Sequence, residues 1–149
     1  MSPLRNRIAV LNGVNLDVLG RRDVAHYGSI TLVDLEERVV AFGSELGLEV
    51  RCFQTNSESE FVEHLHGLPA HADGIVINPG AWTHYSWAIH DALEIAGLPA
   101  VEVHLSQIDE REPWRRISVV RDLVVACVSG QGVEGYREAL VRISKALDG

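Results

Sequence analysis

The sequence predicts a single three-layer α/β domain whose five-stranded parallel sheet has the order 2-1-3-4-5. Five short runs are continuously apolar rather than alternating, which is typical of strands buried on both faces of a parallel sheet. Segments with helix start and stop signals separate most of these runs, as expected for βαβ units. The chain has 149 residues, 46% of them hydrophobic and 23% charged, which fits one domain, residues 1–149, with a substantial core.

Capping and terminating residues set the bounds of the predicted elements. Thr31 and Ser57 carry hydroxyls that can accept from free N–H groups at a helix start, and each has an acidic residue three positions later. Gly47 and Gly97 are typical of helix ends. The predicted elements are strand one at Ile8–Leu11, a helix from Thr31 to Gly47, strand two at Leu48–Thr55, a helix from Ser57 to about His66, strand three at Gly74–Asn78, a helix from about Tyr85 to Gly97, strand four at Ala100–His104, strand five at Leu123–Val128 and a last helix at about Glu134–Leu147.

Two stretches are predicted to be irregular. The segment from Asn12 to about Ile30 is too long and too charged for a plain connector, so we expect a lid or a binding loop with Gly20 and Gly28 as its hinges. The segment 105–121 is rich in charge and is expected to contain one helical turn near its middle, around 109–112.

Composition and charge exclude several classes of protein. A net charge of −8 argues against a nucleic-acid partner, which needs a basic face. Lys145 is the only lysine and lies in the last helix, so imine chemistry at the sheet edge is not expected. No apolar run approaches the ~18 residues of a membrane span. Met1–Arg7 does not resemble a signal peptide, and Cys52 and Cys127 are expected to be buried thiols in a reducing compartment, so the protein is expected in the cytoplasm without a membrane partner.

Polar side chains are predicted to converge at the carboxyl edge of the sheet. The order 2-1-3-4-5 is that of flavodoxin-like folds, in which the connections after strands one and three go to opposite faces and leave a crevice for ligands. We therefore expect Asn15, Asn78, His84 and His104 to lie close together. A helix start just after Asn78 adds free backbone N–H groups and partial positive charge there.

Two pairs of side chains at this edge indicate acid–base chemistry. Glu102 and His104 lie on the same side of strand four, so the carboxylate can orient the imidazole. Arg22 lies five residues before Tyr27, and a guanidinium beside a phenol favours the phenolate form. The alternatives are a structural ion pair for the first pair and a solvated loop for the second.

Other charged residues have less specific interpretations. Arg111 and Arg115 are one helical turn apart and either hold a carboxylate or hydroxyls by forked hydrogen bonds or belong to a solvated turn. Asp91 is either a site residue or a surface acid. His64 and His66 would point apart on a helix. No Cys or His-x-x-x-His spacing supports zinc, so no metal is expected, and the glycines fit no phosphate loop.

Several blocks of the sequence resemble those of type II 3-dehydroquinate dehydratases. They occur in the family's order across almost the whole chain, and together they are far more specific than any one block. The blocks are Leu11-Asn12-Gly13-Val14-Asn15-Leu16, Leu19-Gly20-Arg21-Arg22, Tyr27-Gly28, Ile77-Asn78-Pro79-Gly80-Ala81, Thr83-His84, Glu102-Val103-His104-Leu105-Ser106 and Arg111-Glu112 with Arg115.

This resemblance implies a flavodoxin-like hydro-lyase that assembles as a homododecamer and uses no cofactor and no metal. The implied reaction removes water from 3-dehydroquinate by anti elimination through an enolate and gives 3-dehydroshikimate. The matched catalytic residues are Tyr27 as the base, Arg22 as its activator, Asn15 as the holder of a water on the enolate oxygen, His104 as the acid and Glu102 as its orienting partner. The matched substrate-binding residues are Asn78, His84, Leu105, Ser106, Arg115, Arg111 and Asp91. Of these, Asn78 also orients His104, Arg111 lies on the lid side, and Asp91 reaches a neighbouring subunit's site.

The chain departs from the family pattern outside the catalytic positions. The departures are Val14, Trp82, Tyr85, Trp87, His90, Gln107, the run 119–122 and Gln131. They bear on subunit contacts and on the shape of the pocket rather than on the chemistry.

Two other function classes remain as alternatives. A non-catalytic ligand-binding descendant of the same fold would be expected to lack Tyr27, Arg22 or His104, all of which are present. A flavin or nucleotide binder would need a phosphate loop after strand one. The sequence leaves open whether the reaction serves aromatic biosynthesis or quinate breakdown.

Overall fold

The predicted sheet is confirmed. The computed structural model describes residues 4–27 and 29–149, and five parallel strands form one sheet in the order β2-β1-β3-β4-β5. The main elements are β1 (Arg7–Asn12), α1 (Leu32–Glu45), β2 (Glu49–Gln54), α2 (Glu58–Gly67), β3 (Gly74–Asn78), α3 (Trp87–Ala96), β4 (Ala100–His104), β5 (Ala126–Ser129) and α4 (Glu134–Asp148). The register pairs Asn12 at the end of β1 with Asn78 at the end of β3.

Helices cover both faces of the sheet, which gives the predicted three layers. Along β3, Val76 packs into the core shared with α1 and α4, whereas Ile75 and Ile77 pack into the core shared with α2 and α3. All five residues of β3 are buried. Because successive strand residues face opposite sides, a strand between two helical layers must be apolar throughout.

The predicted helix starts at Thr31 and Ser57 are confirmed as caps. Thr31 Oγ1 accepts a hydrogen bond from the Asp34 amide, and Ser57 Oγ accepts one from the Glu60 amide. The Glu60 carboxylate does not return to the Ser57 amide. It accepts from Thr55 Oγ1, which in turn accepts from the Ser57 amide, so the reciprocal half of the capping box is relayed through Thr55.

The start of strand five was predicted wrongly. Ladder pairing begins at Ala126, whereas Leu123 lies in a turn and donates from its amide to the Val120 carbonyl. Leu123 and Val124 are apolar because they pack against the core from this turn. An apolar run therefore does not distinguish a strand from a loop that lies on the core.

The irregular stretches contain short helical turns. They lie at Leu16–Arg21, Val24–Tyr27, Gly80–His84, Ile108–Glu110 and Pro113–Arg116. The helix predicted to start near Tyr85 begins at Trp87, because the Ser86 hydroxyl caps it by accepting from the Ile89 amide. Gly28 lies outside the described residues, so the predicted hinges remain a prediction.

Cys52 and Cys127 are half-buried rather than fully buried, and neither forms a disulfide. Burial raises the pKa of the Cys52 thiol to about 12, so this thiol is protonated at neutral pH. Within the described ranges, none of the helices has the length and apolar character needed to cross a membrane.

Candidate active site

A small cavity at the carboxyl edge of the sheet brings the predicted site residues together. It has a volume of about 100 Å³. Its lining includes Asn15, Arg22, Tyr27, Asn78, His84, His104, Leu105, Ser106, Arg111 and Arg115. Cavities of about 680, 470 and 320 Å³ lie elsewhere on the described surface, but none of these three is lined by His104. The predicted convergence of Asn15, Asn78, His84 and His104 is therefore confirmed.

The loops after β1 and β3 are interlocked through two glycines. A Cβ atom on Gly13 would lie 2.3 Å from the Pro79 carbonyl oxygen, and one on Gly80 would lie 2.7 Å from the Val14 carbonyl oxygen. Gly80 also has a φ of 66°, which favours glycine. The Gly13 amide donates to the Asn78 carbonyl at 2.8 Å. Each loop therefore needs the other's glycine in order to place its polar side chains.

His104 is held by a buried carboxylate, as predicted from strand alternation. Its Nε2 lies 2.6 Å from Glu102 Oε2, and both side chains are buried. Burial by itself raises the pKa of Glu102, but hydrogen bonds from His104 and Ser118 and the charge of Arg121 outweigh it, so the pKa falls to about 2. Glu102 is therefore ionised at neutral pH and accepts the hydrogen bond that His104 donates from Nε2. His104 therefore lines the cavity with its Nε2 already engaged by Glu102.

Tyr27 is flanked by two arginines. Its phenol oxygen accepts from Arg22 Nη2 at 2.8 Å and from Arg111 Nη1 at 2.7 Å. The Arg22 guanidinium also lies over the ring, 3.8 Å from the ring centroid. The phenol oxygen therefore accepts two charge-assisted hydrogen bonds from guanidinium groups. The sequence pointed to Arg22 for this role, whereas Arg111 was expected to pair with Arg115.

His84 closes the other side of the pocket in a defined tautomer. Its Nδ1 lies 2.7 Å from the Ile117 carbonyl oxygen, which can only accept, so Nδ1 carries a proton. Partial burial lowers the pKa of His84, and nearby His104 and Arg115 act in the same direction. The neutral ring therefore presents an unprotonated Nε2. Trp114 packs edge-on against this ring, with centroids 5.2 Å apart.

Arg115 contacts other side chains beside the cavity. Its Nε is bonded to the Glu112 carboxylate and its guanidinium lies over Trp114, 4.1 Å from the ring centroid. Arg111 follows a 3-10 turn at Ile108–Glu110, and Arg115 lies in a second one at Pro113–Arg116, so no α-helical turn joins the two arginines. Both arginines line the cavity, and their predicted joint contact with a ligand remains a prediction.

Backbone contacts hold the remaining pocket residues. The Leu105 and Ser106 carbonyls accept from the Gly132 and Gly130 amides, each at 3.1 Å, which fixes the turn after β4. Asn15 adopts a left-handed conformation with a φ of 70°, and its amide donates to Asn56 Oδ1 at 2.8 Å. Asparagine tolerates this region better than most residues.

A buried tyrosine beneath the pocket was missed by the sequence analysis. The Tyr136 hydroxyl donates to Asn12 Oδ1 at 2.6 Å and accepts from Asn78 Nδ2 at 2.9 Å. Burial raises the pKa of Tyr136, which keeps this donor protonated. Asn78 Oδ1 accepts from the Gly80 amide. These hydrogen bonds fix the Asn78 amide, whose predicted part in orienting His104 remains a prediction.

Asp91 lies outside this cavity, on α3. Its carboxylate is 70% exposed and contacts His90 Nδ1 at 2.9 Å, while His90 Nε2 contacts Asp122 at 3.2 Å. The hydrogen bond with Asp91 raises the pKa of His90 against the effect of burial, and Asp122 adds to the rise. The predicted reach of Asp91 into a neighbouring subunit remains a prediction.

In the part of the chain that the structure describes, no group of three or more His, Cys, Asp or Glu side chains has the arrangement to hold a metal ion. The pocket's titratable groups are instead paired with arginine, carboxylate or backbone partners. The fold and the site together define a flavodoxin-like α/β enzyme whose pocket carries paired acid–base side chains.

Comparison with known proteins identifies the family. Residues 6–144 match the model of the family described as dehydroquinase class II. The 3-dehydroquinate dehydratase of Pelobacter propionicus is 49% identical over 145 residues, which cover 95% of this chain and 96% of that protein. The type II dehydroquinase structures from Propionibacterium acnes and Butyrivibrio crossotus each superpose with a TM-score of 0.90. The Propionibacterium acnes structure is 42% identical, and the match covers 97% of this chain and 99% of that one. The Butyrivibrio crossotus structure is 37% identical, and the match covers 94% of this chain and 98% of that one. The chain therefore belongs to the class II dehydroquinase family.

Proposed function

We propose that this chain is a 3-dehydroquinate dehydratase, a hydro-lyase that works without a cofactor or a metal. The observation that carries the proposal is that Tyr27 and His104 line one cavity in opposite electrostatic settings. Two guanidiniums surround the tyrosine oxygen, and an ionised carboxylate holds the histidine. Dehydration of a β-hydroxy ketone needs a base near the α-carbon and an acid near the leaving oxygen.

Tyr27 is the base in this proposal. Its phenolate, stabilised by Arg22 and Arg111, takes the proton α to the ketone, and the electron pair moves to the carbonyl oxygen to form an enolate. Asn15 lies in the same cavity and would hold a water against that oxygen. A donor aimed at developing negative charge lowers the barrier without further reorganisation.

His104 is the acid. It transfers a proton to the hydroxyl on the β-carbon as the enolate collapses, so that the carbon–oxygen bond breaks, the double bond forms and water leaves. Glu102 keeps Nε2 occupied, so Nδ1 is the nitrogen that acts. Tyr27 then loses its gained proton, and His104 regains one, by exchange with solvent.

The remaining lining residues are proposed to bind the substrate. Ser106 and the Leu105 backbone would bind its carboxylate, and Asn78, His84 and Arg115 would bind the rest of the molecule. The buried Arg111 Nε has no hydrogen-bond partner in the described structure. A buried donor without a partner is costly, so a ligand oxygen is its natural complement.

The activity is tested by mixing chelator-treated protein with 3-dehydroquinate and following ultraviolet absorbance. The proposed product is a conjugated enone carboxylate and the substrate is not, so turnover is seen directly. We expect turnover that survives both chelator and borohydride. A flat trace from folded protein would contradict the proposed activity.

The base is tested by Tyr27→Phe. We expect substrate binding to persist while kcat falls by about 10²–10⁴-fold, the usual contribution of general base catalysis. Tyr85→Phe is the matched control, because Tyr85 is 60% exposed and does not line the cavity. Near-normal turnover in Tyr27→Phe would refute the assignment of the base.

The proposed assembly is a homododecamer in the cytoplasm. Large apolar side chains are exposed along α3, with Trp87 62% and Ile95 67% exposed, which supports burial against other subunits. Light scattering is expected to give the mass of twelve chains, and a mass well short of that would refute the dodecamer.

A further inference from the structure

The turn at residues 118–122 is built around the carboxylate that holds His104. Its two inner residues, Val119 and Val120, are buried in the apolar core, and the Val119 amide donates to the Thr83 carbonyl at 2.8 Å. Its polar residues Ser118 and Arg121 flank this apolar pair and both reach Glu102. The turn is thus anchored by packing and points its polar ends at one buried group.

The two oxygens of Glu102 have different partners. Oε2 accepts from His104 at 2.6 Å and from Thr83 Oγ1 at 2.9 Å. Oε1 accepts from Arg121 Nε at 3.2 Å, and the Ser118 hydroxyl lies 2.9 Å from both oxygens. Arg121 is 48% exposed on its side chain, whereas Glu102 is fully buried. One carboxylate is therefore shared between a surface arginine and the pocket histidine.

This sharing affects how strongly His104 holds its proton. An ionised carboxylate favours the protonated imidazole, and a guanidinium on the same carboxylate offsets part of that field. The other charged or titratable groups near His104 are His84 and Arg115 across the pocket and Tyr27, Arg22 and Arg111 on the lid side. A general acid must release its proton during the reaction, so the charges around its carboxylate partner bear on that step.

We propose that Arg121 is a positioning residue that tunes proton donation by His104 through Glu102, with Ser118 and Thr83 fixing the carboxylate between them. The proposal rests on the function assigned to His104 above. Arg121 is not among the residues that line the cavity, and its contact with Glu102 connects it to His104.

The first test needs no substrate. The His104 ring is titrated by NMR in labelled protein, and its signal is assigned by its loss in His104→Gln. Arg121→Gln is expected to move the midpoint of that titration upward by about half a pH unit, the order of effect of removing one nearby charge in a largely aqueous dielectric. Arg121→Lys keeps the charge and is expected to stay close to wild type. In ~1 M salt the difference should shrink, because one end of the pair is exposed.

Two further variants separate charge from folding effects. Arg142→Gln removes an arginine that is similarly exposed, at 52%, and paired with Glu138 on α4, and it is expected to leave the His104 titration unchanged. Ser118→Ala removes a donor from Glu102 without removing a charge, and it is expected to move the midpoint in the same direction as Arg121→Gln. It tests the same network if the arginine variant fails to fold.

The second test uses turnover. The alkaline limb of the kcat profile in Arg121→Gln is expected to move up with the NMR midpoint, with kcat at pH 7 lower by about twofold from the weaker acid. An unchanged midpoint in Arg121→Gln, or an equal shift in Arg121→Lys, overturns the proposal. A wild-type protein without dehydratase activity refutes the proposed function instead, and the NMR comparison still decides the electrostatic link.

Discussion

Removal of one buried hydroxyl beneath the pocket gives the sharpest test of the structure. Tyr136→Phe keeps the ring, so no cavity forms, but it removes the group that joins the ends of β1 and β3. Two hydrogen bonds are lost, to Asn12 at 2.6 Å and from Asn78 at 2.9 Å. Both partners are buried, at 1% and 3% exposed, and water cannot replace the hydroxyl without rearrangement.

The expected cost follows from these two contacts. A net loss of about 1–1.5 kcal/mol for each bond, with both partners left buried, gives about 2–3 kcal/mol of unfolding free energy. For 149 residues the unfolding entropy makes 1 kcal/mol equivalent to about 3 °C, so the melting temperature should fall by roughly 6–10 °C.

The assay compares Tyr136→Phe with Tyr85→Phe at one fixed protein concentration, by thermal melting and by urea titration. Tyr85 is 60% exposed, so the same substitution there should change stability by less than about 0.5 kcal/mol. The urea midpoint should move while the slope stays constant. Equal melting temperatures for the two variants would show that the Tyr136 hydroxyl does not stabilise the contact between the ends of β1 and β3.

Three further outcomes follow from other parts of the site. Gly13→Ala places a methyl group 2.3 Å from a backbone oxygen, so it should destabilise the protein by more than about 2 kcal/mol or disrupt the pocket. Gly67→Ala, with open space around it, should be nearly neutral, and equal melting curves for the two variants would refute the close approach of the loops. The pKa of Glu102 is depressed to about 2, so its ionised carboxylate stabilises the fold by about 3 kcal/mol at pH values above the unfolded pKa near 4.3. This stabilisation is lost as the pH falls from 5 towards 2, so wild type should lose stability more steeply in that range than Glu102→Gln. The pKa of His90 is raised, so protonated His90 stabilises the fold below pH 6.5, and this stabilisation is lost as the pH rises through the pKa of the folded state. Asp122→Asn should therefore flatten the dependence of unfolding free energy on pH in that range, and an unchanged dependence would count against the contact.

The parts of the fold and site that the sequence predicted correctly are those governed by local periodicity. Continuous apolar runs identify strands buried on both faces, and the alternation along β4 placed Glu102 and His104 on one side. The strand order then brought Asn15 and Asn78 to the same crevice. Each of these predictions depends only on the residue pattern within a short segment and on the strand order that is common for this type of sheet.

The features that were missed depend on contacts between distant segments. Tyr136 reads as an ordinary core residue of an amphipathic helix, because its hydroxyl partners lie 58 and 124 residues away. Arg121 lies in a turn with no periodicity, and its contact with Glu102 depends on how Val119 and Val120 pack. No spacing rule predicts that Arg121 contacts Glu102 or that Arg111 contacts Tyr27.

The Tyr27 phenol has a further consequence, because its two cations come from different parts of the chain. Arg22 is carried on the same loop as the tyrosine, whereas Arg111 belongs to the segment after β4, 84 residues further along. Any movement that separates these segments removes one cation from the phenol oxygen. Under the proposed mechanism, both cations would contact the Tyr27 oxygen only while these two segments lie side by side.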